Sequence, residues 1–256
     1  MNQNKLNHLA FQIQNKIIKA KKKFFTKPFD HIVIDEILPK NLAFKCAKSF
    51  PKIESNNWDQ KKVDKIEVKY RSNWNSEFDI PENIIDVVRI LNSSIILKTI
   101  SKVFKIEKIL PDPYFKGGGL NVSKKGGILN THIDGNYNDE TGLNRRINAI
   151  IYLTKNWKKK YGGELGFYNK NGKKLIKVIA PKYNRLVIFN TNDFSYHGIP
   201  NEINYPLTKP RKSIILYYYT KESREKSETK IKKPHSALWV KNNYKDHNNR
   251  IKRKYF

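Results

Sequence analysis

Lys212-Ser213-Ile214-Ile215-Leu216-Tyr217-Tyr218-Tyr219-Thr220 has six β-branched or aromatic residues among its nine, the composition of a β-strand. Side chains along a strand alternate between its two faces, so Arg211, immediately before this run, shares a face with Ser213. A guanidinium and a hydroxyl placed this way make a carboxylate site, the first as a rigid bidentate donor and the second as an added hydrogen bond. Lys209 and Lys212 compete for the same role. Arg211 is preferred for its planar fork and for the face it shares with Ser213.

Upstream of this strand the chain keeps a β pattern. Arg146-Ile147-Asn148-Ala149-Ile150-Ile151-Tyr152-Leu153 reads as a largely buried strand with Asn148, Ile150 and Tyr152 on one face. Tyr161-Gly162-Gly163-Glu164 is a turn feeding a strand through Tyr168, and Asn171-Gly172 is a hairpin signal before a further strand through Val178. Pro181 to Asn184 is a turn, Arg185 to Asn190 another strand, and His197 follows in a polar loop. Short strands separated by Gly, Asn and Pro turns argue an all-β sandwich or barrel over about 115 to 220.

His132-Ile133-Asp134, answered far downstream by His197, gives this β region its chemistry. Two imidazoles and one carboxylate can occupy one face of a divalent iron ion and leave the other face open to small ligands. A closed zinc site would need further Cys or His, and the chain has one Cys and six His. A lone His-x-Asp arises easily by chance. What lifts this one above a solvated His-Asp pair is the Gly117-Gly118-Gly119 and Gly126-Gly127 run leading into it, with His197 and Arg211 beyond.

Taken in order, these pieces resemble the prolyl-4-hydroxylase-like branch of the iron(II) and 2-oxoglutarate-dependent oxygenases. The similarity runs from Pro28-Phe29-Asp30-His31-Ile32-Val33-Ile34-Asp35, through Gly117 to Asp134, to the strand ending at Thr220. Between the two histidines it takes in Gly162-Gly163-Glu164-Leu165, Pro181 to Arg185 and Ser195-Tyr196-His197-Gly198. The resemblance implies an α+β protein whose core is a double-stranded β-helix, jelly-roll and cupin-like, with flanking N-terminal helices. It implies that His132, Asp134 and His197 bind Fe(II) and that Arg211 takes the distal carboxylate of 2-oxoglutarate. Ser213 and Tyr152 assist, and Asn148 is a weaker candidate on the Tyr152 face. The implied reaction is that of a 2-oxoglutarate-dependent dioxygenase: decarboxylation of 2-oxoglutarate to succinate coupled to hydroxylation of a C–H bond, with ascorbate as a candidate reductant. Beside dioxygen, the implied substrate is peptidyl, a sugar or a small molecule. One departure is the fourteen-residue step from His197 to Arg211, longer than is common in the family, with Asn204 to Thr208 resembling an insertion.

Two other readings stand beside this one. A nucleic-acid demethylase of the same cofactor class would draw on the net charge of +28 and would need aromatic residues such as Tyr137, Trp157 and Phe194 at the mouth of the site. A non-catalytic β-sandwich binding carbohydrate or a partner would not need an intact triad and carboxylate anchor together. The charge itself discriminates poorly, because Lys outnumbers Arg by 42 to 9, whereas readers of base edges favour Arg.

The segments expected outside the core are four-square with composition. Residues 1–27 form a basic amphipathic helix, with Leu6, Leu9, Ile13, Ile17 and Ile18 at helical spacing and Lys19 to Lys23 at its end. Packing on the domain is its plainer role and docking on an anionic surface or acidic partner the sharper one. Residues 28–110 form an α-rich support with a strand at 31–34, a helix after Pro39 and another near 83–104; 111–220 are the oxygenase core. Residues 221–256 form a basic linker and tail, mobile over 221–233, with Leu238, Trp239 and Val240 packing back and a basic terminus at Arg250 to Lys254. No run is long and apolar enough to span a membrane, no secretory signal opens the chain, and a single Cys46 fits a cytoplasmic, reducing setting.

Overall fold

The computed structural model describes residues 1–63 and 66–240. The helices are α1 (Gln3–Ala20), α2 (Lys40–Lys48), α3 (Glu82–Leu91) and α4 (Ser94–Phe104). The first strands are β1 (His31–Ile34), β2 (Trp58–Val63), β3 (Glu67–Ser72), β4 (Leu110–Pro111), β5 (Gly119–Ser123), β6 (Ile128–Leu129), β7 (His132–Ile133) and β8 (Tyr137–Asn138). Then follow β9 (Leu143–Tyr152), β10 (Leu165–Tyr168), β11 (Leu175–Ile179), β12 (Arg185–Asn190), β13 (His197–Gly198), β14 (Arg211–Thr220) and β15 (Leu238–Trp239).

These strands form two antiparallel sheets. The larger runs β1-β12-β9-β14-β5-β3-β2, with β4, β6 and β8 attached at its margins; the smaller runs β11-β10-β13-β7-β15. Alternation along the larger sheet sorts its residues between two environments. On β9, Ile147, Ala149 and Ile151 enter the main core, and so do Ile214, Leu216 and Tyr218 of β14 and Leu186 and Ile188 of β12. The opposite face carries Ile150, Tyr152, Val187 and Phe189, which pack against Leu165, Phe167 and Ile179 of the smaller sheet.

The helices cover the first of those faces. α1 buries Leu9, Ala10, Ile13 and Ile17, leaving Phe11 and Ile18 about half exposed. Its apolar stripe therefore packs on the domain, the plainer of its two expected roles, and the segments expected as 1–27, 28–110 and 111–220 share one hydrophobic cluster. Asn184 fastens the support to the sheet. It sits at φ 61°, accepts from the Leu38 amide at 3.0 Å and donates to the Leu38 carbonyl at 2.7 Å.

Several expectations need correcting. The single helix near 83–104 is two, because the chain turns at Asn92-Ser93, where the Ser93 hydroxyl donates to the Ile90 carbonyl and Ser93 becomes the N-cap of α4. The support between α2 and α3 is not helical throughout: β2 and β3 form a hairpin that extends the larger sheet through β5. Its charged sequence hides a strand whose pairing is supplied by a neighbour. His197 lies in a two-residue strand paired with β7 and β10, and not in a loop. The expected mobile linker over 221–233 is anchored: Arg224 donates to the Arg145 carbonyl and to Asp193, and Glu228 accepts from Arg146 and Asn190. Leu238 and Trp239 pack back as expected, pairing with β7. The basic terminus at Arg250 to Lys254 lies outside the described residues.

If α1 is part of the core, Ile13→Ala should cost about 2–5 kcal/mol, the usual toll for an emptied aliphatic site, while Ile18→Ala should stay within about 0.5 kcal/mol. Urea unfolding of the two variants measures both, and equal effects would contradict the packing.

Candidate active site

The site occupies the space between the sheets. β7 delivers His132, the turn after it Asp134, and β13 His197, with His132 and His197 directly paired across the two strands. All three side chains are buried, and one ligand atom from each lies within 4.8 Å of the others. Asp134 Oδ1 is 3.7 Å from His132 Nε2, and Asp134 Oδ2 is 3.8 Å from His197 Nε2. The opposite ring nitrogens are spoken for. His132 Nδ1 donates to the Asn130 carbonyl at 2.8 Å and His197 Nδ1 to the Ser195 carbonyl at 2.9 Å. A carbonyl can only accept, so each Nδ1 carries a proton and each Nε2 is the nitrogen turned toward Asp134. The acceptors that hold the tautomers, which the sequence left unidentified, are thus main-chain groups two residues upstream of each ring.

Burial by itself would raise the Asp134 carboxyl, but His197, His132 and Arg145 around it outweigh that and hold it well below the ordinary carboxylate range. Burial, opposed by Asp134 and reinforced by His132, lowers His197 to about 4. The cluster is therefore one ionised carboxylate faced by two imidazole Nε2 atoms, the donor set of a divalent-metal site. Asn148 donates to Asp134 Oδ2 at 3.2 Å, which ties it to the carboxylate and not to the neighbourhood of Arg211.

A cavity of about 430 Å³ joins this cluster to Arg211 and Ser213, a size in the range of small-molecule clefts. Arg211 is buried, its Nε donating to the Gly163 carbonyl at 2.9 Å and its guanidinium lying 4.9 Å from the Tyr152 ring centre. Gly163 at φ 76° is required here, since a Cβ would stand 3.0 Å from Arg211 Cδ and 3.2 Å from Tyr205. Lys212 points to the other face of the sheet, where its ammonium donates to the Ala47 carbonyl at 3.0 Å, and Lys209 is exposed. Alternation on β14 thus separates Arg211 from Lys212, as the sequence led one to expect. Around Arg211 the Ser213 hydroxyl, the Tyr152 phenol and both ends of the Asn121 amide are buried without partners. Burial pushes the Tyr152 phenol up against the pull of Arg211, keeping it a donor. Unmet donors beside a buried guanidinium suit an anionic guest, because leaving them unpaired is costly.

Sequence reasoning missed two residues. Asn121, opposite Ser213 across β5 and β14, carries only the signal of a polar residue in an otherwise buried strand. Arg145 lines the cavity 3.9 Å from Asp134 Oδ1, its guanidinium 3.9 Å from the Tyr217 ring centre and its Nη2 donating to the Tyr219 hydroxyl. It is one of two adjacent arginines, and only the pairing of β9 with β14 shows which of them faces inward. The insertion at 204–208 is structural in part: Tyr205 is buried with Ile199 and Ile203. Of the three aromatics a flipped base would need, Tyr137 lines the cavity; Trp157 is engaged with the Gly162 carbonyl, and Phe194 stands beside Lys170.

Comparison with known proteins places this geometry in context. Residues 118–219 match the model of the 2OG-Fe(II) oxygenase superfamily. A 79-residue stretch is 30% identical to prolyl 3-hydroxylase OGFOD1 of Mus musculus, covering 29% of this chain and 14% of that protein, so the match spans about one seventh of the curated relative. Among solved structures, a Trichoplax adhaerens prolyl hydroxylase in complex with a hypoxia inducible factor peptide fragment is 18% identical, with a TM-score of 0.53 over 84% of this chain and 91% of that one. A Pseudomonas putida prolyl-4-hydroxylase is 14% identical, with a TM-score of 0.53 over 85% and 100% of the two chains. These likenesses are in the fold. No helix among the described residues is long and apolar enough to cross a membrane.

The buried histidines set an acid limit. His31, enclosed by Phe25, Phe29 and Phe167, is lowered to about 4 by burial, as is His197. Unfolding restores both to near 6.5, so between about pH 6.5 and 4 the unfolded chain binds more protons and stability falls as pH falls. The metal-free chain should lose about 1–3 kcal/mol between pH 7 and 5, read from urea midpoints, with no contribution from these groups above pH 7. Identical midpoints at pH 7 and 5 would contradict it.

Proposed function

We propose that the chain is an iron(II)- and 2-oxoglutarate-dependent hydroxylase acting on a peptidyl prolyl substrate, on the match of residues 118–219 to the 2OG-Fe(II) oxygenase superfamily and the likeness to prolyl hydroxylases. The observation that carries the proposal is the continuity of one cavity from the His132-Asp134-His197 cluster to Arg211. We read the two facing antiparallel sheets as a double-stranded β-helix, and 111–220 as its extent. Peptidyl proline is chosen on the names of the relatives; sugars and free amino acids are the other arms of the test. A cytoplasmic setting belongs to the same reading, on the ground of the single Cys46.

In this reading His132, Asp134 and His197 would hold Fe(II), the two imidazoles donating nitrogen lone pairs and the carboxylate offsetting part of the ion's charge. With dioxygen as the oxidant and 2-oxoglutarate as the co-substrate oxidised to succinate and carbon dioxide, iron held there would supply the chemistry that puts the second oxygen atom on the substrate carbon, with ascorbate as the assay reductant. The protein's part is binding and exclusion. Arg211 takes the distal carboxylate through its terminal guanidinium nitrogens, and Ser213, Tyr152 and Asn121 donate to the same guest from their buried polar atoms. Asn148 keeps Asp134 aimed at the ion through its 3.2 Å hydrogen bond. The apolar side chains Ile150, Leu165 and Ile215 line the passage between anchor and ligands and keep water from it.

Replacing His132, Asp134 or His197 should abolish iron-dependent succinate formation, and a His132→Ala/His197→Ala variant should not retain stoichiometric iron; retention would sink the ligand assignment. Stimulation of succinate release by proline-containing peptides, but not by sugars or free amino acids, is the expected pattern of a substrate screen.

Arg211→Ala should raise the KM for 2-oxoglutarate about 30-fold to several thousand-fold, the scale of losing a buried charge-assisted pair worth roughly 2–5 kcal/mol. Lys209→Ala and Lys212→Ala should leave it nearly unchanged. A large effect in either lysine variant with none at Arg211 would show the anchor to be misassigned.

A further inference from the structure

His197 is wedged from within the core: its ring centre lies 4.9 Å from that of Phe189, at 65°. The His132 ring lies 4.5 Å from that of His197 on one side and meets β15 on another. There it is met by Trp239, with centres 4.4 Å apart and planes at 33°. Trp239 comes from the segment after β14, beyond the family-matched stretch that ends at residue 219. This segment crosses the mouth of the cavity, which Pro234, His235, Ser236, Ala237 and Trp239 line.

The strap is fixed at three places. Asp193, 1% exposed, receives Arg224 Nη1 at 2.8 Å and the amides of Lys230 and Ile231 at 2.7 and 2.8 Å. Asn136, just past the His-x-Asp turn, accepts from the His235 amide at 2.9 Å and donates its own amide to the His235 carbonyl. At the end β15 pairs with β7 in the register Trp239 to His132 and Leu238 to Ile133, closed by the Val240 amide on the Thr131 carbonyl. Gly135 leaves the room: a Cβ there would stand 2.9 Å from the His235 carbonyl oxygen. Without β15, the two-residue strand carrying His132 would be the edge of its sheet.

We propose that Trp239 is a positioning residue of the metal centre, laid on the His132 imidazole by the Asp193-clamped strap so that the ring is held in its coordinating orientation and its strand is closed to water. The inference rests on the reading of His132 as a metal ligand. A flat aromatic over one face of an imidazole restricts rotation about its side-chain torsions without touching either nitrogen, so coordination needs less ordering of the ligand. An aliphatic side chain of similar bulk fills the space but does not stack.

The test is Co(II) binding to the full-length chain, followed by visible absorption, in wild type, Trp239→Leu and Trp239→Phe. Trp239→Leu should weaken Co(II) binding about 10–100-fold, the usual scale for a residue supporting a ligand, and Trp239→Phe should stay within about threefold of wild type. Equal affinity in wild type and Trp239→Leu overturns the proposal, and so does an equal loss in both variants, which would point to bulk alone. If wild type itself takes up no Co(II), the ligand reading of His132 falls and this inference with it; if wild type binds and Trp239→Leu binds equally, only the role of Trp239 falls. Should Trp239→Leu fail to fold, the chain with Phe in place of Trp58, Trp74 and Trp157 decides: strong quenching of its remaining emission by bound Co(II) supports the contact, and unchanged emission overturns it.

Discussion

The register between β9 and β14 is the constraint on which the rest of the structure depends. Ser213 stands opposite Tyr152, Ile215 opposite Ile150 and Tyr217 opposite Asn148, so all six side chains share the face toward the cavity. The intervening residues Ile147, Ala149, Ile151, Ile214 and Leu216 point to the helices. A slip of one residue in β14 would turn Arg211 into the apolar core and bring Lys212 to the cavity, exchanging both faces at once. Burying those aliphatic side chains under α1, α3 and α4 therefore does double duty: it stabilises the sheet and fixes where the guanidinium emerges. The buried guanidinium in the cavity is a by-product of hydrophobic register.

The smaller sheet solves a different problem, that of bringing residues from distant parts of the chain to one point. Its strands β7 and β13 are two residues each, too short to be stable alone, and they persist because β10 flanks one and β15 the other. Within this frame the two histidines are treated alike. Each donates Nδ1 to the carbonyl two residues before it and turns Nε2 to Asp134, and each has an aromatic ring against it. The cost of burying Asp134 is offset by the imidazoles, Arg145 and the Asn148 amide, so the carboxylate stays ionised in an enclosed site.

The segment after β14 links these two constructions. It runs from the end of β14, a central strand of the larger sheet, past Asp193, to the edge of the smaller one. Its polar composition suggests solvent, yet Arg224 and Glu228 are spent on buried partners in the core. Charged residues in such a stretch can signal either a solvated chain or a set of specific clasps, and composition does not tell these apart.

His132-Ile133-Asp134, His197 and the Arg211–Ser213 pair could be read from residue type and spacing alone, because ligand chemistry demands particular atoms and a strand of period two places them on one face. The strands at 185–190 and 211–220 were legible for a related reason: their β-branched and aromatic density leaves few alternatives. The β2–β3 hairpin was not, since charged strands at a sheet margin take their structure from a neighbour and not from their own apolar pattern. Asn121 and Arg145 were hidden for the same reason, and Trp239, expected to pack back, gave no sign of where. Asn121 matters through its place opposite Ser213, Arg145 through Tyr217 and Asp134, and Trp239 through His132, partners 92, 72, 11 and 107 positions away in the chain respectively. The sequence by itself determined which atoms could bind a metal and a carboxylate and which runs had to be strands. Only the tertiary structure decided which arginine faces inward, what holds each imidazole and where the polar tail goes, because those outcomes depend on contacts between distant segments that no local periodicity encodes.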